Sequence, residues 1–293
     1  MKNFVVFIFK CIGDWLLFAF FMFRGLVRFY RCCWSFPRET GNVCLLANGP
    51  SLKEHFEDIK ARRGFFADST LMCVNWFCNN PLFFEIKPRY LVLADPAYCT
   101  PEKLVPGRYE AMCQNLDRVD WPLTLILPHS FRHQFRPTDN PIVTYFYVNC
   151  MEYLGPQCLR NWAYKRNFAI PRVQNVTNLA IYFAIQAHFS KIYLYGVDHT
   201  FFDGLCVNSD NILCKRDSHF YGKEEIKPFI KLWTEPEPFR MSVYVRCIAD
   251  MFASHDLLAD FARYCGDVEI INCTKCSLID SYKRLRDDDA REG

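Results

Sequence analysis

Three groups of residues in this 293-residue chain have the types and spacing to do chemistry. The first is Asn48-Gly49-Pro50-Ser51-Leu52, which follows an apolar run and opens an amphipathic stretch, so a buried strand leads straight into a turn and a helix start. A glycine there lets a ligand approach the backbone, and a helix start at Ser51 offers amides and a positive dipole end to a phosphate. The same residues also suit a plain turn with Ser51 as N-cap. Two further strand ends carry Asn75, in Val74-Asn75-Trp76, and Asp95, in Ala94-Asp95-Pro96. Both can bond a base edge or a ribose, and both are common turn residues.

The second group is Gln174-Asn175-Val176-Thr177-Asn178, a polar loop ahead of an apolar helix, followed by Tyr195-Gly196-Val197-Asp198-His199 at the next strand end. With Asn175 and Thr177 at a helix start and His199 at a strand end, this places another polar set at a carboxyl strand edge. Asp198 reads first as a buried carboxylate bonding loop amides, because no Asp-x-Asp nearby supplies a second carboxylate for a metal. The third group is Asp217-Ser218-His219-Phe220-Tyr221. Histidine titrates near neutrality and is the commonest general base, although a lone loop histidine is more often a bystander. Cys273 and Cys276 make an isolated Cys-x-x-Cys with no second pair at zinc spacing, so no metal site is expected. Asn272, Thr274 and Ser277 around them read as turn and cap residues within reach of a nucleotide.

These groups need a scaffold that gathers them. From residue 42 onward, short apolar or β-branched runs alternate with amphipathic stretches, which predicts an α/β domain with a Rossmann-like parallel sheet and helices on both faces. Strands are expected at 43–47, 70–74, 90–94, 123–127, 143–148, 191–195 and 268–271, and helices at 51–62, 176–188, 240–264 and 277–284. The long irregular stretches 129–172 and 199–238 read as lid-like insertions in a domain covering 41–283, and 284–293 reads as a polar tail.

Composition narrows the class. Hydrophobic residues make up 51% and charged residues 23%, so a core forms, and a net charge of +3 gives no basic face for nucleic acid. Sixteen cysteines scattered through apolar segments read as reduced core thiols of a cytosolic protein. The aromatic share is 17%, much of it in residues 4–34. The uncharged run from Trp15 to Phe23 is too short for a span of roughly 20 residues. On a helix, Asn3, Lys10, Asp14, Arg24, Arg28 and Arg31 fall within about 100° of arc, so residues 1–40 are expected to hold an amphipathic helix lying on a membrane surface. A single span, or plain packing against a protein surface, are the alternatives. Cys32-Cys33 beside it could carry acyl chains.

In this order, Asn48-Gly49-Pro50-Ser51-Leu52, Cys73-Val74-Asn75, Ala94-Asp95-Pro96, Ile192-Tyr193-Leu194-Tyr195-Gly196-Val197-Asp198 and Ser218-His219-Phe220-Tyr221 resemble the bacterial sialyltransferases of glycosyltransferase family 42. They equally resemble the polysaccharide-locus proteins that share this domain with archaeal-type 6-hydroxymethylpterin diphosphokinases. The likeness spans about residues 43–283. It implies a GT-A-like variant of the Rossmann-like fold, and the N-terminal helix, which lies outside the likeness, leads to the expectation of a peripheral enzyme at the cytoplasmic face of the inner membrane. That enzyme would move a CMP-activated acidic sugar onto a saccharide or lipid-linked saccharide, inverting the anomeric centre with no required cofactor or metal.

By the same resemblance, Asn48, Gly49, Ser51, Asn75 and, where the family has Asn, Asp95 contact the nucleotide, and His219 deprotonates the acceptor hydroxyl. The amides of Gly49 and Ser51, with Asn175, Thr177 and His199, would steady the departing phosphate. The chain departs from the family twice. Its Arg-x-Thr-Ser loop is replaced here by the segment from Gln174 to Asn178. The two tyrosines that hold the leaving phosphate are replaced by His199, Thr200, Phe201 and Phe202. Two other readings stay open: a diphosphokinase using magnesium on Asp95 and Asp198, and a non-catalytic scaffold recruited to a membrane. Self-association is left open as well.

Overall fold

The computed structural model describes residues 12, 13, 15, 16, 18–20, 23, 35–100, 104, 106–218, 224–231 and 237–285. His219, Phe220, Tyr221, the Cys32-Cys33 pair and residues 286–293 lie outside them.

An eight-stranded sheet forms the centre of the domain. Its strands are β1 (Asn42–Leu46), β2 (Ser69–Val74), β3 (Tyr90–Val92), β4 (Leu123–Pro128), β5 (Val143–Val148), β6 (Lys191–Tyr195), β12 (Glu269–Asn272) and β13 (Lys283–Arg284), in the order β13-β12-β6-β1-β2-β3-β4-β5. Every neighbouring pair runs parallel. Parallel strands covered on both faces read as unbroken apolar runs, as Val43-Cys44-Leu45-Leu46 does.

Alternate residues then face two cores. Val43, Leu45, Met72, Val74, Ile192 and Leu194 pack toward α4 (Gln157–Lys165), α5 (Val176–Gln186) and the second half of α6 (Met241–Cys265). Cys44, Leu46, Leu71, Cys73, Tyr193 and Tyr195 face the opposite side, which α1 (Phe56–Lys60), α2 (Leu82–Ile86) and α3 (Arg108–Asp117) cover. The domain is thus the expected α/β type, with helices on both faces of a parallel sheet.

Several expectations are corrected in detail. Residues 50–55 are a 3-10 helix that continues into the five-residue α1, so the expected helix 51–62 is shorter and tighter. No helix forms over 277–284; side chains there bond back to the backbone, and Lys283–Arg284 adds an edge strand instead. The described part of the stretch 199–238 is not irregular. It holds β7 (Leu205–Val207), β8 (Leu213–Ser218) and β9 (Glu224–Pro228) as an antiparallel sheet, and β10 (Ile230–Lys231) with β11 (Glu237–Pro238) as a second pair. A separate small core of Leu213, Phe239, Tyr244, Ile248 and Met251 joins this region to the first half of α6.

The N-terminal segment also reaches the domain earlier than expected. Phe36 packs on Phe146, Tyr182 and Phe183, and Glu39 accepts a hydrogen bond from Tyr90. The described residues between 12 and 23 are helical, with Phe18 seated against Tyr153 and Trp162, while Ile12, Trp15, Leu16, Phe20 and Phe23 are exposed. No helix among the described residues is long and apolar enough to cross a membrane. The thirteen described cysteines are all free thiols, and burial pushes those of Cys44, Cys78 and Cys273 up to about 12.

Candidate functional site at the carboxyl edge of the sheet

Strand order reverses at β1: the chain moves from β1 to β2 on one side and returns with β6 on the other. In open α/β sheets the crevice outside the carboxyl ends at such a point is where ligands bind. Here that edge gathers Asn48, Gly49 and Ser51 after β1, Asn75 after β2, Asp95 near the end of β3, and Asp198 and His199 after β6. Helix α5 precedes β6 in a parallel crossover, so its first turn, with Asn175 and Thr177, lies at the same edge.

Next to β1 and β6 the polar groups are already spent on one another. Gly49 N donates to Gly196 O at 2.9 Å. Asp198 accepts from Ser51 Oγ at 2.9 Å and from Ser51 N at 3.3 Å. A Cβ on Gly49 would lie 1.8 Å from Asp198 Oδ2 and 2.3 Å from Gly196 O, so only glycine fits between these two loops. Gly196 is constrained as well, with φ of +67°, and a Cβ there would lie 2.8 Å from Ala47 O.

The turn after β12 braces the same loop. Thr274 Oγ1 accepts from Val197 N and donates to Leu194 O, Ser277 Oγ donates to Val197 O, and Leu278 N donates to Asp198 O. Arg284 in turn bonds the carbonyls of Thr274 and Ser277, so the expected tail begins as a clamp. The expectation that the amides of Gly49 and Ser51 are open to a phosphate is therefore corrected. Both are engaged, and a carboxylate sits where the anion would go. Asn272, Thr274 and Ser277 likewise spend their side chains within the protein.

The other half of the edge differs. Asn48 Nδ2 donates to Val74 O at 3.0 Å, which ties the first loop to the end of β2. Asn75 follows with φ of +47°, a conformation asparagine tolerates better than most residues, and its Oδ1 is buried with no partner among the described residues. Asp95 accepts from Ala97 N and caps a short 3-10 turn, leaving its second oxygen without that duty.

At the start of α5, Asn175 and Asn178 form a reciprocal capping box, each accepting a bond from the other's end of the turn. Thr177 Oγ1 and Asn178 Nδ2 are left buried and without partners, on residues 2% and 1% exposed. Arg108 lies over the Trp76 ring at 4.5 Å, beside Tyr98, whose hydroxyl is also buried and unpartnered. Such orphaned polar atoms are rare in folded proteins and carry a desolvation cost.

His199 is in the left-handed region, with φ of +55°, and is buried against Phe201 and Phe252. Its Nε2 lies 3.1 Å from Nε2 of His255, whose Nδ1 lies 2.9 Å from the Tyr282 hydroxyl. Burial lowers His199 to about 4 and holds His255 well below the usual histidine range, with His199 adding to the second effect. Both imidazoles are therefore neutral at pH 7. Sequence reasoning singled out His199 and missed its two partners. The signal for His255 was its place in the apolar stripe Ile248, Met251, His255, Leu258 and Ala262 of α6, whereas Tyr282 had none.

Among the described residues no group of three or more His, Cys, Asp or Glu side chains is arranged to hold a metal ion. No family model and no curated protein sequence matches the chain. Among solved structures it is similar to the MAf glycosyltransferase from Magnetospirillum magneticum AMB-1, at 16% identity and a TM-score of 0.46, over 87% of this chain and 35% of that one. The chain spans about a third of that protein's length.

Proposed function

We propose that the chain is a glycosyltransferase that binds a nucleotide-activated sugar, a CMP-linked acidic sugar by the motif resemblance, at the carboxyl edge between β2 and the start of α5. The observation that carries this reading is the set of buried, unpartnered polar atoms there: Asn75 Oδ1, Thr177 Oγ1 and Asn178 Nδ2. A bound nucleotide would satisfy atoms that the protein leaves unpaired, and so recover a cost already present in the fold. In the direct displacement we infer, the acceptor hydroxyl attacks the anomeric carbon, the bond to the phosphate breaks, and the configuration inverts. His219 takes the hydroxyl proton, while neutral donors at the edge steady the phosphate.

The diphosphokinase reading draws less support, because both oxygens of Asp198 are held by Ser51 and one of Asp95 by Ala97 N. The exposed Ile12, Trp15, Leu16, Phe20 and Phe23 support a peripheral seat on a membrane, where a lipid-linked saccharide would be at hand.

Melting temperatures measured with CMP, CDP, UDP, GDP and ATP, each with and without magnesium, test the reading. Stabilisation by CMP without magnesium is expected, and stabilisation only by ATP with magnesium would transfer the case to the kinase. His219→Ala should abolish sugar transfer and keep CMP affinity; near-normal transfer would remove His219 from the mechanism.

A further inference from the structure

The line of hydrogen bonds from Tyr282 through His255 to His199 has a direction, and chemistry at its two ends fixes it. Tyr282 is well buried, and among the described residues its hydroxyl has one hydrogen-bond partner, His255 Nδ1. The neighbouring carboxylate, Asp256, accepts from Ser281 instead. If the phenol accepted from His255, its own O–H would be left without a protein acceptor at a buried position. If it donates, its O–H and the His255 Nδ1 satisfy each other.

With Tyr282 donating to Nδ1, neutral His255 carries its proton on Nε2 and gives it to Nε2 of His199. Neutral His199 must then hold its single proton on Nδ1, the one ring nitrogen left for another partner. We propose that Tyr282 and His255 are positioning residues that present His199 to the edge as a neutral Nδ1–H donor for a phosphate oxygen of the bound nucleotide. This rests on the nucleotide-binding reading above. A neutral imidazole held in this tautomer donates to a developing phosphate charge and cannot serve as the base at Nδ1, which divides the labour between His199 and His219.

The test is nitrogen NMR of the full chain with labelled histidine at pH 7, the two signals assigned by their loss in His199→Gln and His255→Gln. We expect His199 protonated on Nδ1 and bare on Nε2, and His255 the reverse. The opposite pattern, or a doubly protonated ring at either position, overturns the proposal without reference to activity. Tyr282→Phe removes the group that sets the direction. Both tautomers should then appear, and CMP affinity should fall roughly tenfold; one unchanged tautomer overturns the positioning role.

Addition of CMP to the unaltered protein should move the His199 Nδ1 signal. Binding of CMP that leaves this signal in place sinks the phosphate contact and spares the nucleotide-binding reading. If no nucleotide raises the melting temperature, that reading falls and takes the phosphate contact with it, while the tautomers of the free protein still decide the positioning role.

Discussion

The loops after β1 and β6 and the polar groups after β2 and before α5 share one sheet edge, and they handle polar atoms in opposite ways. Between β1 and β6, Gly49, Ser51, Gly196 and Asp198 satisfy one another at distances that exclude even a methyl group. Between β2 and α5, Asn75, Thr177 and Asn178 keep buried atoms without partners. The first half is a brace, and the second carries an unpaid desolvation cost of the kind that ligand sites retain. The motif most suggestive of phosphate binding in the sequence thus has its Gly49 and Ser51 amides bonded within the protein, while less conspicuous residues hold unused hydrogen-bonding capacity.

The contrast can be broken at several points. Gly49→Ala should be the most damaging change, because the new methyl meets a backbone carbonyl and a carboxylate fixed by Ser51; a loss of about 4 kcal/mol is expected in urea unfolding. A loss below about 1 kcal/mol would show that the two loops are not locked together.

The buried imidazoles give a pH signature next in size. His199 binds its proton near 4 in the folded chain and near 6.5 when unfolded, so between those values the unfolded state holds more protons. Stability is therefore full above pH 6.5 and falls as pH drops toward 4, by about 3 kcal/mol for this group. His255 acts in the same direction. Urea midpoints across this window should flatten in His199→Gln, and an unchanged slope would assign the acid sensitivity elsewhere.

Thr177→Val sharpens the other side of the comparison. It replaces an unpartnered hydroxyl with a methyl of the same shape, so stability should stay within about 0.5 kcal/mol or improve while nucleotide affinity falls. A large loss of stability would mean that the hydroxyl already has work within the fold.

Much of the scaffold was legible because its signals are local. Strands 143–148 and 191–195 stand where short apolar or β-branched runs put them, and α6 ends at Gly266, whose φ of +84° a glycine adopts freely. The antiparallel strands after residue 204 were missed because β8 and β9 carry charged runs such as Lys215-Arg216-Asp217 and Glu224-Glu225, which show no apolar period. The helix expected over 277–284 lost to other bonds: Ser277 bonds Val197 of the β6 loop, remote in sequence, and Arg284 bonds the carbonyls of the turn after β12. The edge itself was found, yet its division of labour depends on pairs such as Ser51 with Asp198, and His199 with His255, which are remote in sequence.

The strand order also bears on how the chain is made. β1 leaves the ribosome before the other described strands of the sheet and ends near its middle, between β2 and β6. β2 follows soon after, but β6 comes about 150 residues later, roughly 8–30 s of translation at ordinary rates. For that interval one edge of a strand with four apolar residues in a row, Val43 to Leu46, waits for its neighbour. The growing polypeptide therefore has an aggregation-prone period that the finished molecule conceals, and its yield in cells will depend on chaperones that shield Val43 to Leu46 until residues 191–195 emerge.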